Sequence, residues 1–276
     1  MSPTVWLASY PKSGNTWIRA LLMALETDAE PQLDLTRVGW HEGNAWVDPW
    51  LGVSLSDLND AEAIAIERLS WAQAEPQSAG YLRRKTHHPW EDAADGFPAR
   101  WQPHGARAIY IVRDPRAVAV SWAHHLGISH ADAVSTMEGT LQLDTELTQT
   151  LIPQRTTGSL SWSDHVTSWR GQNVLPQLFL TYELISSDPV SALTEIATWL
   201  DIDNDPESCA RAVERCSFNR LAFREATDGF GESPTGDRAF FRRGSVDSWR
   251  EELSPDLIER IEDTHGAVMR DLGYLS

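Results

Sequence analysis

Residues 5–23 read VWLASYPKSGNTWIRALLM. The apolar run 4–9, TVWLAS, is short and ends at the Tyr10-Pro11 pair, where a helix cannot continue, so it reads as a buried strand. From Thr16 to Leu25 the side chains of Trp17, Leu21, Leu22 and Leu25 recur on one helical stripe. Between strand and helix lies a tight polar loop around Lys12, Ser13 and Gly14, its glycine letting a ligand approach the backbone. Amides at a helix N-terminus, helped by the helix dipole, make such a loop an anion cradle. Its lysine precedes the glycine, so the nucleotide-binding pattern G-x-x-x-x-G-K-[ST] is not met. A tight turn that only packs strand on helix is the competing reading.

The same unit recurs along the chain. ARAIYIV, 106–112, is a strand, followed by Asp114 and Pro115 as cap and first-turn residues of a helix to about Leu126. QLFLTYEL, 177–184, is a third strong strand, and Asp188-Pro189 repeats the cap before a helix to about Leu200. GYLRRKTHHP, 80–89, reads as a short strand running into a loop. Helical spacing is expected over Leu58–Ala74, Ala131–Leu151 and SWSDHVTSWRGQ, 161–172, the last starting near Ser161 or Ser163. Alternation of this kind implies one α/β domain spanning 1–276, with a central parallel sheet covered by helices on both faces. The Gly- and Pro-rich run TDGFGESPTGDR, 227–238, is expected as a mobile loop, either a lid or a plain surface connection.

A net charge of -17 argues against nucleic-acid or anionic-membrane partners, so an anionic ligand must be gripped locally. No stretch approaches the roughly 18 apolar residues of a membrane span. Two cysteines, Cys209 and Cys216, have neither metal-ligand spacing nor the number for a disulfide framework, and the N-terminus shows no basic and apolar leader; a cytoplasmic protein is expected. Of 23 basic residues only Lys12 and Lys85 are lysine.

Chemistry concentrates in four segments. The loop of Lys12, Ser13, Gly14, Asn15, Thr16 and Trp17 is the first. In IYIVRDPRAVAVSWAHH, 109–125, Arg113 ends a strand where open parallel sheets bind ligands, and Ser121 lies two helical turns on, a pair able to hold a second phosphate. Arg113 paired with a surface carboxylate is the alternative. The adjacent His124 and His125 point to different sides of a helix and read as structural or surface residues. In RRKTHHP the alternation of an extended chain puts Lys85 and His87 on one side and His88 on the other. An imidazole that can take a proton beside an ammonium that can steady negative charge suits group transfer, although both also read as ordinary loop residues. Arg242, Arg243 and Gly244 could close over a phosphate, or be a solvated basic pair.

In identity and order, YPKSGNTW, RKTHHP, IVRDPRAVAVSW and RRGSVDSWREELS closely resemble the soluble sulfotransferases that use 3′-phosphoadenosine 5′-phosphosulfate (PAPS), over about Trp6 to Leu272. The resemblance implies a P-loop-like fold and sulfuryl transfer to an acceptor hydroxyl or amine, with the adenosine bisphosphate PAP as product and no metal. It assigns the loop backbone and Lys12 to the phosphosulfate and Trp17 to the adenine. Arg113, Ser121, Arg242, Arg243 and Gly244 are assigned to the 3′-phosphate. RCSFNRL, 215–221, places Cys216, Ser217 and Phe218 along the base, and Tyr182 matches another cofactor contact. His87 matches the catalytic base and Lys85 its companion. Segments 10–17, 83–89, 110–122 and 226–250 would then build the site. Asn15 stands where the family often has threonine, VDSW replaces a GDW pattern, and Cys216 replaces a common threonine. The segment REELSPDLIE has only a loose likeness to the family's dimer motif and carries no inference on a homodimer. The acceptor expected is a hydrophobic alcohol, phenol or lipid-like molecule, with Trp40, Trp46, Trp50, Trp71 and Trp90 as candidate wall residues. A P-loop nucleotide or small-molecule kinase is the competing class.

Overall fold

The computed structural model describes residues 4–27, 62, 66, 82–90, 105–139, 161–202, 204–233 and 238–276. Strands β1 (Thr4–Ser9), β2 (Leu82–Thr86), β3 (Arg107–Val112) and β4 (Gln177–Thr181) form a four-stranded sheet in the order β2-β1-β3-β4. Every pairing is parallel, with Leu7 opposite Lys85 and Ile109, and Ile111 opposite Leu180. The helices are α1 (Asn15–Glu26), α2 (Pro115–Leu126), α3 (His130–Met137), α4 (Trp162–Gly171), α5 (Tyr182–Ser187), α6 (Pro189–Leu200), α7 (Pro206–Arg215), α8 (Phe218–Asp228), α9 (Trp249–Glu252) and α10 (Pro255–Asp271).

Alternate residues of the central strands feed two separate cores. Val5, Leu7, Ile109 and Ile111 pack on α1, α6 and α7 through Ile18, Leu21, Leu22, Leu193, Ile196 and Ala212. Trp6, Ala8, Ala108, Tyr110 and Val112 pack on the opposite face against α2, α3, α4 and α10, through Val118, Val134, Trp169 and Ile261. Burial on both faces is why these strands read as continuous apolar runs rather than as alternations. Each fully buried leucine or isoleucine contributes about 1.5–3 kcal/mol. The expected α/β architecture, with helices on both faces of a parallel sheet, is therefore what forms. No helix among the described residues is long and apolar enough to cross a membrane.

Local signals set the helix starts. Asp114 accepts from the Arg116 amide with Pro115 at the first turn, and Asp188 accepts from the Ser191 amide with Pro189 in the same place. Ser161 caps α4 by accepting from the Asp164 amide. Three expectations need correcting. The third strand stops at Thr181, because its hydroxyl accepts from the Leu184 amide and opens α5, so Tyr182 begins a helix instead of extending the strand. The helix expected from Ala131 is α3, which starts at His130 directly after its Ser129 cap and ends at Met137; residues 140–151 lie outside the described residues. Helix α1 begins at Asn15, directly after Gly14. Of the helix expected over 58–74, only Glu62 and Ile66 are described, both helical.

Candidate active site

All four strands run toward one edge, and their C-terminal ends converge on a single cavity of about 690 Å³, within the usual range for small-ligand sites. Lys12 and Gly14 follow β1, Lys85 and His87 come from β2 and its end, Arg113 follows β3, and Tyr182 follows β4. Ser121 on α2 and Ser217, Phe218, Arg242, Arg243 and Gly244 from the C-terminal third complete the wall.

The loop after β1 turns on two left-handed backbone positions, Lys12 at φ 66° and Gly14 at φ 100°. Only glycine serves at 14, since a Cβ there would drive into the Tyr182 ring. Asn15 braces the loop: its amide donates to the Leu7 carbonyl at 3.0 Å and its oxygen accepts from Arg19 at 3.0 Å. Ser13 is buried, and the Thr16 hydroxyl faces the Glu232 carboxylate. Trp17 donates its indole N–H to the Cys216 carbonyl at 3.1 Å and meets Tyr182 edge to face. Cys216 itself packs into the core with its thiol pushed up to about 12 by burial, so its side chain does not line the cavity.

Burial, assisted by the charges of Arg113 and Lys85, lowers the Lys12 ammonium to about 7 against the opposing pull of Glu232 and Glu225. Lys12 Nζ donates to His125 Nδ1 at 3.3 Å and lies 3.9 Å from the centre of the Phe240 ring. His125, lowered to about 3 by burial and by Lys12, is thus neutral. It is a site residue that the sequence reading set aside, and its place four residues after Ser121, on the same helical face, is the signal that finds it. His124, which also borders the cavity, donates to the Ala239 carbonyl.

His87 sits at the end of β2 with Lys85 on the same side, as alternation requires, while Arg84, Thr86 and His88 point into the protein. Its Nδ1 is 2.8 Å from the Ser9 carbonyl, an acceptor only, so Nδ1 carries the hydrogen and Nε2 the lone pair. Burial and then the Lys85 ammonium lower His87 to about 3, although the bond to Ser9 opposes this. An imidazole that is neutral at pH 7, with its hydrogen on Nδ1 and its lone pair on Nε2, is equipped to receive a proton.

Glu232, from the segment expected as a mobile loop, enters this site. Its carboxylate accepts from Thr16 Oγ1 at 2.8 Å and Arg19 at 2.7 Å and pairs with Lys85 at 3.1 Å. Burial alone would raise its pKa, but Lys85, Arg19 and Thr16 outweigh that and hold it well below the usual carboxylate range. The carboxylate thereby sits among three donors, Thr16, Arg19 and Lys85, and nothing in the local sequence announces it. Glu225 on α8 ties both sides of this segment, accepting from the Ser233 hydroxyl and from the Phe240 and Phe241 amides. If the carboxylate competes with an anionic ligand, Glu232→Gln should tighten PAP binding about tenfold, a change of roughly 1.4 kcal/mol. Calorimetric titration checks this, and unchanged or weaker binding would show that Glu232 is no competitor.

Arg113 lies 4.3 Å from the centre of the Tyr182 ring and donates to the carbonyls of Lys12 at 3.2 Å and Ser245 at 3.3 Å. It therefore joins the first loop to the C-terminal segment rather than serving a surface carboxylate. Arg242 forms a two-pronged pair with Glu252 at 2.6 and 2.8 Å, and Arg243 reaches Glu251 at 3.5 Å and Glu252 at 3.4 Å. Gly244, at φ 63°, lies so close to Phe218 that a Cβ would collide with that ring. Trp90, the one described member of the tryptophan set, packs edge to face on Trp169 in the core; Trp40, Trp46, Trp50 and Trp71 lie outside the described residues.

Comparison with known proteins agrees with this geometry. The family model described as the sulfotransferase domain matches residues 2–273. Cytosolic sulfotransferase 17 of Arabidopsis thaliana is 24% identical over 288 residues, covering 98% of this chain and 75% of the plant protein. Flavonol 3-sulfotransferase of Flaveria bidentis is 24% identical, covering 94% of this chain and 79% of its own length. The crystal structure of mouse sulfotransferase SULT7A1 complexed with PAP shares the fold, with a TM-score of 0.60 at 23% identity over 99% of this chain and 87% of that one. A family match spanning nearly the whole sequence, on a sheet whose C-terminal edge gathers the expected loops, settles the assignment: this chain belongs to the sulfotransferase domain family.

Proposed function

We propose that this enzyme moves a sulfuryl group from PAPS to the hydroxyl of a small, hydrophobic acceptor, with His87 as general base and Lys12 at the leaving oxygen. The observation that carries the reading is the pairing, in one cavity, of a neutral His87 whose hydrogen is held on Nδ1 with the only two lysines of the chain. Relatives named for PAP in their solved structures and for flavonol sulfation support the donor and the acceptor class. The residues present suit the donor: Gly14 lets the Tyr182 ring lie directly against the loop after β1, and Thr16, Arg19 and Lys85, which hold the Glu232 carboxylate, are donors of the kind an oxyanion needs.

The donor, when bound, supplies the sulfuryl group, which passes from its phosphate oxygen to the acceptor oxygen. His87 Nε2 takes the acceptor's hydroxyl proton as the new S–O bond forms. Lys12 meets the negative charge that grows on the phosphate oxygen as the old S–O bond breaks, and Lys85 steadies the group between them. Arg113 and Ser121 hold the 3′-phosphate, and Trp17, Tyr182, Ser217 and Phe218 flank the base. Arg242, Arg243 and Gly244 close that end, with the arginines released from Glu251 and Glu252. The single domain 1–276 thus works through segments 10–17, 83–89, 110–122 and 226–250. The apolar acceptor side is formed by Trp122, Leu126, Phe240 and Phe241. Two buried, unbridged cysteines and relatives named as cytosolic support a cytoplasmic location.

Thermal shift tests this reading: PAP without magnesium should stabilise the protein, whereas a response only to ATP with magnesium would favour a kinase. Arg113→Ala should weaken PAP by about 10- to 100-fold, the scale of a lost charge-assisted phosphate contact, yet hardly affect the analogue lacking the 3′-phosphate. Equal weakening of both ligands would remove Arg113 from that phosphate.

A further inference from the structure

His165, on α4, is only 2% exposed and belongs to no segment of the site. Its Nε2 lies 3.1 Å from the carbonyl oxygen of His87, so Nε2 must carry the hydrogen and donate it. Its Nδ1 is then bare and accepts from the Tyr110 hydroxyl at 2.8 Å. The ring is boxed in by Tyr10, edge-on at 5.4 Å, and by Tyr110 at 5.8 Å. Burial lowers His165 to about 4 against the pull of the His87 and His88 carbonyls, so it stays in this neutral form at working pH. The neighbouring residue is fixed as well: Trp169 donates to the His88 carbonyl at 2.9 Å and the His88 amide donates to Thr86 Oγ1 at 3.1 Å.

A buried histidine could be a core residue with satisfied nitrogens and no more. What singles this one out is its target. It holds the carbonyl of the residue read as the base, while the far nitrogen is set by a tyrosine rooted in the central strand β3. His87 is consequently fixed at two points, its ring by Ser9 and its backbone by His165. A bond to the backbone of a residue at the end of a strand limits how far that residue can shift, and an error of about 1 Å at a reacting group costs on the order of 100-fold in rate.

We propose that His165 and Tyr110 form a positioning relay, Tyr110 O–H to His165 Nδ1 and His165 Nε2–H to the His87 carbonyl, that sets the depth and angle at which the His87 imidazole enters the cavity. The inference rests on the reading of His87 as general base. Neither relay residue touches a reacting atom, so both act through His87.

The relay makes a pattern that a purely structural role does not. His165→Phe should lower kcat by about 10- to 100-fold with PAP affinity unchanged. His165→Gln, whose amide can donate to His87 and accept from Tyr110, should recover most of the rate. Tyr110→Phe, which keeps the ring and removes one hydrogen bond, should cost about 2- to 10-fold. In a His87→Ala background neither His165→Phe nor Tyr110→Phe should lower the residual rate further, because the group they position is gone. Wild-type kcat in both single variants would overturn the relay, and so would equal losses with and without His87 or a parallel loss of PAP affinity. Should His165→Phe fail to fold, Tyr110→Phe decides alone by the same criteria. Wild-type transfer by His87→Ala would defeat the base reading and the relay with it, whereas an inactive His87→Ala beside fully active relay variants would defeat the relay only.

Discussion

His87→Ala is expected to abolish practical turnover, lowering kcat by about 10³- to 10⁴-fold, while PAP binding persists. The argument is local. Ser9 fixes the tautomer from one side, and burial with the Lys85 charge keeps the ring neutral, lowered to about 3. A base already unprotonated throughout the neutral range gives no loss of rate at the ordinary histidine value near 6.5. The wild-type rate should therefore stay level as pH falls through 6 toward 5, and a histidine-like acid limb there would contradict the assignment. Steady-state kinetics with a PAP titration separates chemistry from binding. Near-normal kcat in the alanine variant would place the base elsewhere.

Lys12→Ala carries the second large effect, a fall of about 10²- to 10³-fold in kcat, the scale of losing one charged donor at a developing anion. The ammonium, lowered to about 7 by burial, is only partly charged in the free enzyme at neutral pH. A bound phosphate favours the charged form and raises that pKa, so binding PAP at pH 8 should draw a proton onto Lys12. The sign is definite: uptake is largest above 7, where the free lysine is mostly neutral, and fades below 6, where it already holds its proton. Calorimetry in two buffers of different ionisation heat reads this directly. Uptake that survives in Lys12→Ala would assign the proton to another group.

The fold was legible wherever local and global signals agreed. TVWLAS and ARAIYIV are buried on both faces, and Asp114-Pro115 and Asp188-Pro189 cap helices as their chemistry demands. It was misread at QLFLTYEL, where apolar residues run on past Thr181 but a side-chain cap ends the strand. In the site, Lys85 and His87 share a side because strand alternation is a strong rule. Cys216 was assigned a ligand wall but faces the core, because the helix end at Arg215 turns its side chain inward. Glu232 and the pairing of Arg242 with Glu252 are contacts between distant or folded-back segments, with no spacing rule to reveal them. His165 carries no mark in the sequence either, since its meaning depends on Tyr110 and on the His87 carbonyl meeting it across the sheet edge.

The most direct test of sulfuryl transfer is to incubate the enzyme with PAPS and a panel of phenols, aliphatic alcohols, glycolipids and sugars, without magnesium, and follow acceptor mass and PAP together. At least one hydrophobic hydroxyl compound should gain the mass of one sulfuryl group, with one PAP formed per acceptor modified and both products forming about 10³- to 10⁴-fold more slowly with His87→Ala. Tight PAP binding with no sulfated product from any acceptor class, or equal product from His87→Ala, would contradict the account.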